Sequence, residues 1–391
     1  MIVNIFTVEP YPLGNAGTNR IHQLALGFIK NHVKTRVFVI SPVGRTNVSN
    51  TYGIFEGVHF RYVSVRTEAS SHGVMLVFDR VAIILKVLKL FFRLNSQNTL
   101  NIMVGGGTMD SRNLIAVMSC FFKSKLYLET NELPFVNESN SLLGYMKRFL
   151  FYRLTLPFYD GHIVISTALE DHLLSKVKRG TPVFKIPILS DLNVKKRRRN
   201  SNRPLKEPYI IYAGSFIDYK DGFLDVLRAF AKYSLRNSSL CFVMAGDYTN
   251  SKDKKLVDGL LEKHKIKARV LFPGYLNREE LKCYYQHASL AIVNKPLTKQ
   301  NIYGFNTKLA EYIQYEIPLI LSDVGENANY FSDGMNALIV PPGDIEAIEC
   351  AIHKIFSNKG LSTHLSTNAS IMASKKFNAG IYIGELLNSL K

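Results

Sequence analysis

The sequence predicts an α/β chain built from two doubly wound parallel sheets, and three observations carry that prediction. Twelve short apolar runs, rich in Val and Ile, alternate with stretches of helical period along the 391 residues. Several runs are apolar over their whole length, as strands covered on both faces of a parallel sheet must be. The alternation stops once, at 192–208, where a polar, basic, proline-containing stretch has no hydrophobic period.

In the first half the runs lie at 2–8, 36–41, 58–65, 100–105, 125–130 and 161–166. In the second they lie at 209–214, 239–245, 269–273, 290–294, 318–322 and 337–341, with helices filling the remainder. Six strands are therefore expected in each of two Rossmann-like domains. The first domain spans 1–191, a basic linker 192–208 and the second domain 209–375; residues 376–391 form a final helix expected to pack back on the first domain. A length of 391 residues lets each domain bury its own core, and a hydrophobic content of 47 % excludes a largely disordered chain. Ligands of open parallel sheets bind at the carboxyl ends of strands, so a central cleft between two such domains is the expected site.

The net charge of +18 points to an anionic partner: nucleic acid, a lipid surface or a phosphorylated substrate. The densest block, Lys195-Lys-Arg-Arg-Arg199, has no interleaved aromatics, which argues against nucleic acid. Cys120, Cys241, Cys283 and Cys350 are far apart, with no CxxC pair, and read as reduced thiols. Met1 runs directly into the first apolar run, so no leader is expected, and a cytoplasmic location follows. The most apolar segment, Val74 to Leu94, carries Asp79, Arg80, Lys86, Lys89 and Arg93, too many charges for a spanning helix. It packs in the core or lies in a membrane interface. No HxxxH spacing or DxD triplet occurs, so no metal is expected, and His22, His162, His172 and His287 read as structural.

The segments that follow each run are the candidate sites. After the first run comes Pro12-Leu-Gly14-Asn-Ala-Gly17-Thr-Asn-Arg20 and then a helix, a place where backbone can approach a diphosphate. Its spacing is not GxGxxG, so a dinucleotide fold is not supported. Gly105-Gly-Gly107-Thr, after the fourth run, serves close ligand contact or a flexible turn. After the fifth run, Glu129-Thr-Asn131-Glu132-Leu-Pro134 places two carboxylates and an amide where they can position a hydroxyl or act as its base; a polar loop with an Asn turn is the other reading.

In the second half the first run ends Ala213-Gly214-Ser215, with Lys220-Asp-Gly222 ahead of the next helix; Lys220 can neutralise a diphosphate or simply face solvent. Ala245-Gly-Asp247 and Phe272-Pro-Gly274-Tyr275 can wall a base pocket. The most informative stretch is Tyr303-Gly-Phe-Asn306-Thr307-Lys308-Leu-Ala-Glu311-Tyr, ahead of Pro318-Leu-Ile-Leu-Ser. It reads as a tight loop, a helix and a buried strand. The helix start offers free amides and Lys308 for phosphate, and Glu311, three residues on, suits the two hydroxyls of a ribose. The other reading is an amphipathic helix with a solvated Lys and Glu.

Taken in order, the second-half signals resemble the retaining, nucleotide-sugar-dependent glycosyltransferases of family 4, which have the GT-B fold. The residues that match are Tyr212-Ala-Gly-Ser-(x)4-Lys220-Asp-Gly222, Val243-Met-Ala-Gly246-Asp, Val270-Leu-Phe-Pro-Gly274, Glu280-Leu-(x)3-Tyr285-(x)2-Ala288-Ser-Leu, Asn306-Thr-Lys-Leu-Ala-Glu311-Tyr-(x)5-Pro318 and Gly334-Met-Asn-Ala-Leu-Ile-Val-Pro-Pro-Gly-Asp344. The first half agrees more loosely, through its glycine loop, Ile163-Val-Ile-Ser166 and Ile186-Pro-(x)3-Asp191. The chain most looks like the branch that assembles capsular polysaccharide, O-antigen or exopolysaccharide. The resemblance implies a metal-independent enzyme with no cofactor and a UDP- or GDP-sugar donor. Donor contacts would come from Gly14, Gly17, Gly214, Ser215, Lys220, Gly274, Tyr275, Asn306, Thr307, Lys308 and Glu311. Glu129, Asn131 and Glu132 would orient or deprotonate the acceptor, and the first domain would bind it. A polyprenyl-diphosphate-linked saccharide is the expected acceptor, met by a peripheral enzyme at an anionic inner membrane face through segments 74–94 and 142–154. A nucleotide-sugar epimerase of similar fold and a degenerate nucleotide-binding or scaffold protein are the alternatives.

Three departures from the family pattern stand out. Tyr303 replaces the first acid of a Glu-x7-Glu pair, Ser215 replaces an arginine, and Glu316-Ile stands where a glycine precedes the Pro318 strand. A left-handed residue there costs on the order of 1 kcal/mol without glycine.

Overall fold

A computed structural model describes residues 1–14, 16–40, 50–63, 73–94, 98–104, 109–136, 141–190, 203–237, 239–248 and 251–390. The chain divides into two units, Met1–Leu189 with Asn378–Lys391, and Ser190–Phe377. Both are Rossmann-like α/β layers of the GT-B class, with helices on a predominantly parallel sheet. The basic block 195–199 and most of the expected linker lie outside the described residues.

The first unit contains β1 (Ile2–Thr7), β2 (Lys34–Val39), β3 (Tyr52–Phe55), β4 (Val58–Tyr62), β5 (Thr99–Val104), β6 (Lys125–Thr130), β7 (Gly161–Val164) and β8 (Val183–Lys185). Among the described residues its sheet runs β3-β4-β2-β1-β5-β6-β7-β8. Six strands were expected and eight are present among the described residues. The two extra strands sit at the edges, where an apolar run is not required. Strand β3 pairs antiparallel with β4 across the two-residue turn Glu56-Gly57, with Phe55 opposite Val58. Both turn residues have positive φ, 46° and 83°, the geometry that a tight hairpin demands. Central β1 pairs in parallel with β2 and β5 and carries Val3, Ile5 and Phe6 into the core.

The final helix, Ala379–Ser389, lies on the first helix, Ala16–Lys30, within the first unit. Gly27 permits the approach: a Cβ there would sit 2.7 Å from Ile383 Cγ1. Asn31 Nδ2 donates to the Gly380 carbonyl at 2.9 Å.

The second unit contains β9 (Tyr209–Ala213), β10 (Cys241–Ala245), β11 (Val270–Gly274), β12 (Leu290–Val293), β13 (Leu319–Ser322) and β14 (Leu338–Val340). They are parallel throughout, in the order β11-β10-β9-β12-β13-β14. The chain reverses direction across the sheet between β9 and β12, and such a switch point opens a crevice at the strands' carboxyl ends. Phe223, Leu227 and Phe230 of the helix Phe223–Ser234 pack with Phe242, Ile348 and Ile352 to seal one face.

Among the described residues no helix is long and apolar enough to cross a membrane. In the helix Gly73–Leu94, Ile83, Val87 and Phe91 are buried while Val81, Leu85 and Phe92 are exposed, so one side packs and the other faces outward.

Candidate functional site

The carboxyl edge of the second sheet gathers the polar residues that the sequence singled out there. Tyr303 ends the short helix Lys299–Tyr303; a turn through Gly304 follows, and the helix Lys308–Gln314 begins. Glu311 is held there by two donors, the Tyr285 hydroxyl at 2.9 Å and Lys308 Nζ at 3.0 Å, both onto Oε2. Burial, and then the Glu311 carboxylate, push the Tyr285 hydroxyl well above its usual pKa, so it stays a donor. The helix is anchored to the sheet by the backbone N–H of Ala213, which donates to the Tyr312 hydroxyl at 3.2 Å.

Free amides were expected at this helix start, and the structure corrects that. Lys308 N donates to Asn306 Oδ1 at 3.0 Å. Leu309 N bonds the Asn306 carbonyl at 3.1 Å and Ala310 N the Thr307 carbonyl at 3.2 Å. Asn306 and Thr307 thus occupy the first amides of the helix, and an anion here would meet Lys308 and Glu311's surroundings rather than open amides. At the other end Glu316 has φ +55°, with its N–H on the Ile313 carbonyl and that of Ile317 on the Tyr312 carbonyl. This is a Schellman closure made with a residue other than glycine.

Beside it, three glycines end adjacent strands. Gly214 N donates to the Ala245 carbonyl at 3.0 Å and Gly246 N to the Gly274 carbonyl at 2.9 Å. A Cβ on Gly246 would lie 1.9 Å from the Gly214 oxygen, so backbone alone forms this edge. Tyr275 next to it is 71 % exposed, and Ser215 is also exposed. Lys220 sits in the one-turn helix Asp218–Asp221, and its carbonyl accepts from Asn301 Nδ2 at 2.9 Å. Gly222, at φ +57°, turns the chain against Asn294, whose Nδ2 donates to its carbonyl at 3.0 Å. Lys295 pairs with Asp221, next in sequence to Lys220.

In the first unit the segment after β1 is tighter than expected. Thr18 Oγ1 donates to the Pro10 carbonyl at 2.7 Å, and a Cβ on Gly14 would meet that hydroxyl oxygen at 2.3 Å. The helix begins at Ala16, so Gly17 is inside its first turn and not in the loop. Glu129, at the end of β6, is fully buried against Arg20, Nε to Oε1 at 2.6 Å. The Arg20 guanidinium also donates to the Pro187 and Ile186 carbonyls at 2.5 and 2.7 Å. Asn131 Nδ2 donates to the second Glu129 oxygen at 2.9 Å. Both Glu129 oxygens are therefore occupied, which suits holding a loop and not exchanging a proton. Glu132 in that loop is exposed. The glycines 105–107 lie outside the described residues.

The comparisons with known proteins bear on this geometry. Residues 193–372 match the family described as glycosyl transferases group 1. The matched residues span nearly all of the second unit. Over the whole chain, solved structures share the fold, among them the following three. Sucrose-phosphate synthase (tll1590) from Thermosynechococcus elongatus has a TM-score of 0.75 at 17 % identity, covering 100 % of this chain and 99 % of that one. Anabaena Alr3699/HepE in complex with UDP and glucose has a TM-score of 0.71 at 14 % identity, covering 100 % and 99 %. The lipopolysaccharide outer core galactosyltransferase WaaB, apo form, has a TM-score of 0.62 at 12 % identity, covering 100 % of both chains. No curated protein matches the chain by sequence.

Within the second unit the structure brings Tyr285, Lys308 and Glu311 together, and separately Asp221, the sequence neighbour of Lys220, and Lys295. Sequence reasoning gave no role to Asn294, Lys295 or Asn301. The first two directly follow β12, so the rule of inspecting each strand's carboxyl end would have found them.

Proposed function

We propose that the protein transfers a sugar from a nucleoside diphosphate sugar to a hydroxyl of a saccharide acceptor, as a family-4 enzyme of surface polysaccharide synthesis. The observation that carries this reading is the Glu311 carboxylate, oriented by Tyr285 and Lys308 at the carboxyl edge of the unit that matches the group 1 family. On donor binding the two ribose hydroxyls take over acceptor sites on Glu311, and Lys308 turns to the diphosphate. In the reaction the anomeric carbon exchanges its bond to the phosphate oxygen for one to the acceptor oxygen, and the acceptor's hydroxyl proton passes to the departing diphosphate. Negative charge develops on the departing diphosphate, and Lys220 and Lys308 stabilise it. The glycine row Gly214–Gly246–Gly274 gives the donor close approach to backbone, and Tyr275, exposed beside it, packs on the base.

In this reading the first unit binds the acceptor. Glu129 and Arg20 fix the loop that begins at Asn131, and Asn131 and Glu132 orient the acceptor hydroxyl near the anomeric carbon. Gly14 and Gly17 stand at the diphosphate. The acceptor is lipid-linked, a polyprenyl diphosphate saccharide, and the anomeric configuration is retained. Support comes from the structural neighbours, one solved in complex with UDP and glucose and another an outer core galactosyltransferase. The test is calorimetry with UDP, GDP, ADP and CMP on the wild type and Glu311→Ala. One nucleotide binding selectively, with affinity lost in the variant, supports the reading. No binding at millimolar concentration sinks it, and sugar-nucleotide turnover without any acceptor replaces transfer with epimerisation.

A further inference from the structure

The segment Leu142–Phe158 of the first unit turns its apolar side away from the protein. Its α-helix covers Leu142–Leu150 and continues into a π turn, Phe151–Thr155, and a short 3-10 turn, Leu156–Phe158. At 100° per residue, Leu142, Leu143, Tyr145, Met146, Phe149 and Leu150 fall within an arc of about 160°. All six are exposed, from 37 % for Leu150 to 78 % for Leu142, and the opposite side is buried through Gly144 and Phe151. Leu154 and Phe158 extend the exposed apolar strip at 57 % and 49 %. Lys147 and Arg148 flank the arc on its two sides and Arg153 follows, while the segment contains no Asp or Glu.

We infer that this segment docks on an anionic lipid bilayer, with its apolar arc in the acyl boundary and its cations at the headgroups. Charge complementarity selects the occupant. A two-fold pairing with a second copy would set Lys147, Arg148 and Arg153 against themselves with no acid in the strip to offset them. An anionic headgroup layer supplies the missing charge, and a helix with a wide apolar face rimmed by Lys and Arg lies in that plane. A second helix in the same unit agrees. Its outward Leu85 and Phe92 are accompanied by exposed Lys86, Lys89 and Arg93. Phe92 touches Phe121, of the helix Met109–Phe121, at 6.5 Å between ring centroids.

The docking segment also reaches the loop assigned to the acceptor. Phe135, held at φ +63° in the loop after β6, packs on Phe151 and Tyr152 at 5.2 and 6.2 Å. An enzyme lying on a bilayer through this segment would keep that loop beside the headgroup plane, where the sugar of a lipid-linked acceptor stands. This part rests on the transfer reading; the docking itself does not.

The chain has no tryptophan, so one introduced residue reports cleanly. Phe149→Trp, with Met146→Trp as a second reporter, should shift to shorter emission wavelength with phosphatidylglycerol-containing vesicles. It should be quenched by brominated acyl chains and stay unshifted with pure phosphatidylcholine. Leu235→Trp, on an exposed residue of the second unit, should not respond. Replacing Lys147 and Arg153 by Ser should weaken vesicle binding about thirtyfold at low salt. The inference is overturned if neither reporter shifts with anionic vesicles, or if both shift without lipid as protein concentration rises. The latter would assign the face to a second copy. Nucleotide calorimetry on the vesicle-free protein reports on the transfer reading alone, so the two ideas fail separately.

Discussion

Replacing Glu311 separates a ligand-binding role from a structural one, because the structure fixes what the change leaves behind. Glu311 accepts from Tyr285 and Lys308, and the Tyr285 residue is only 3 % exposed. In Glu311→Ala the Tyr285 hydroxyl loses its acceptor while still buried, which costs about 1–3 kcal/mol. The Lys308 pair, with side chains 20 % and 14 % exposed, is partly screened by solvent and adds about 0.5–1 kcal/mol. A total of about 1.5–4 kcal/mol should lower the melting temperature of the second unit by roughly 3–16 °C. Glu311→Gln keeps an oxygen for Tyr285 and should cost less than half of that. If Glu311 holds the ribose, both variants lose two hydrogen bonds to a charged acceptor, and nucleoside diphosphate affinity should fall about 100-fold in each. Calorimetry and thermal melts on the same samples give both numbers. Melting lowered in Glu311→Ala with affinity unchanged in both variants would refute the ribose role and leave Glu311 as a brace for its helix.

Three further outcomes follow from residues whose environments are equally specific. His162 is buried, with neither ring nitrogen partnered among the described residues, and burial lowers its pKa to about 4. Its unfolded value is higher, so the first unit should hold full stability above about pH 6.5 and lose on the order of 3 kcal/mol as pH falls toward 4; urea titrations at several pH values should show a slope that His162→Phe flattens. Glu316→Gly should stabilise the second unit by about 1 kcal/mol, because the left-handed φ then carries no Cβ penalty, and a melt should rise by a few degrees. Arg20→Met strands the Glu129 carboxylate in the core and should cost the first unit about 3–5 kcal/mol by chemical denaturation, whereas an unchanged midpoint would show that water reaches the site.

Most of the fold was legible because a strand inside a parallel sheet has to be apolar on both faces. Each of the twelve runs overlaps an observed strand within a few residues. The two strands that the sequence hid are exceptions to that requirement. Tyr52–Phe55 is an edge strand with Tyr52 and Ile54 exposed, and Val183–Lys185 is three half-buried residues at the other edge. The turn that makes β3, Glu56-Gly57, uses a Glu at positive φ where sequence patterns look for Asn or Asp. The antiparallel hairpin was therefore unreadable on both counts, the strand and its turn.

Three glutamates show why the site was only partly legible. Written in sequence, Glu129 and Glu311 each invited a chemical reading, and Glu316 a backbone one. The Lys308–Glu311 pair could be anticipated, since residues three apart on a helix are neighbours. Arg20 and Glu129 are 109 positions apart, and only the fold reveals that this acid is buried and fully occupied. Glu316 lies at a helix end in a conformation that favours glycine, so its placement there answers to backbone geometry before any chemistry. What distinguishes the three is the set of donors around each carboxylate and whether a ligand can replace them. Of the three, Glu311 has a partner that a ligand can displace at the edge of the sheet: Lys308 can swing to a phosphate and leave its place on the carboxylate to a hydroxyl.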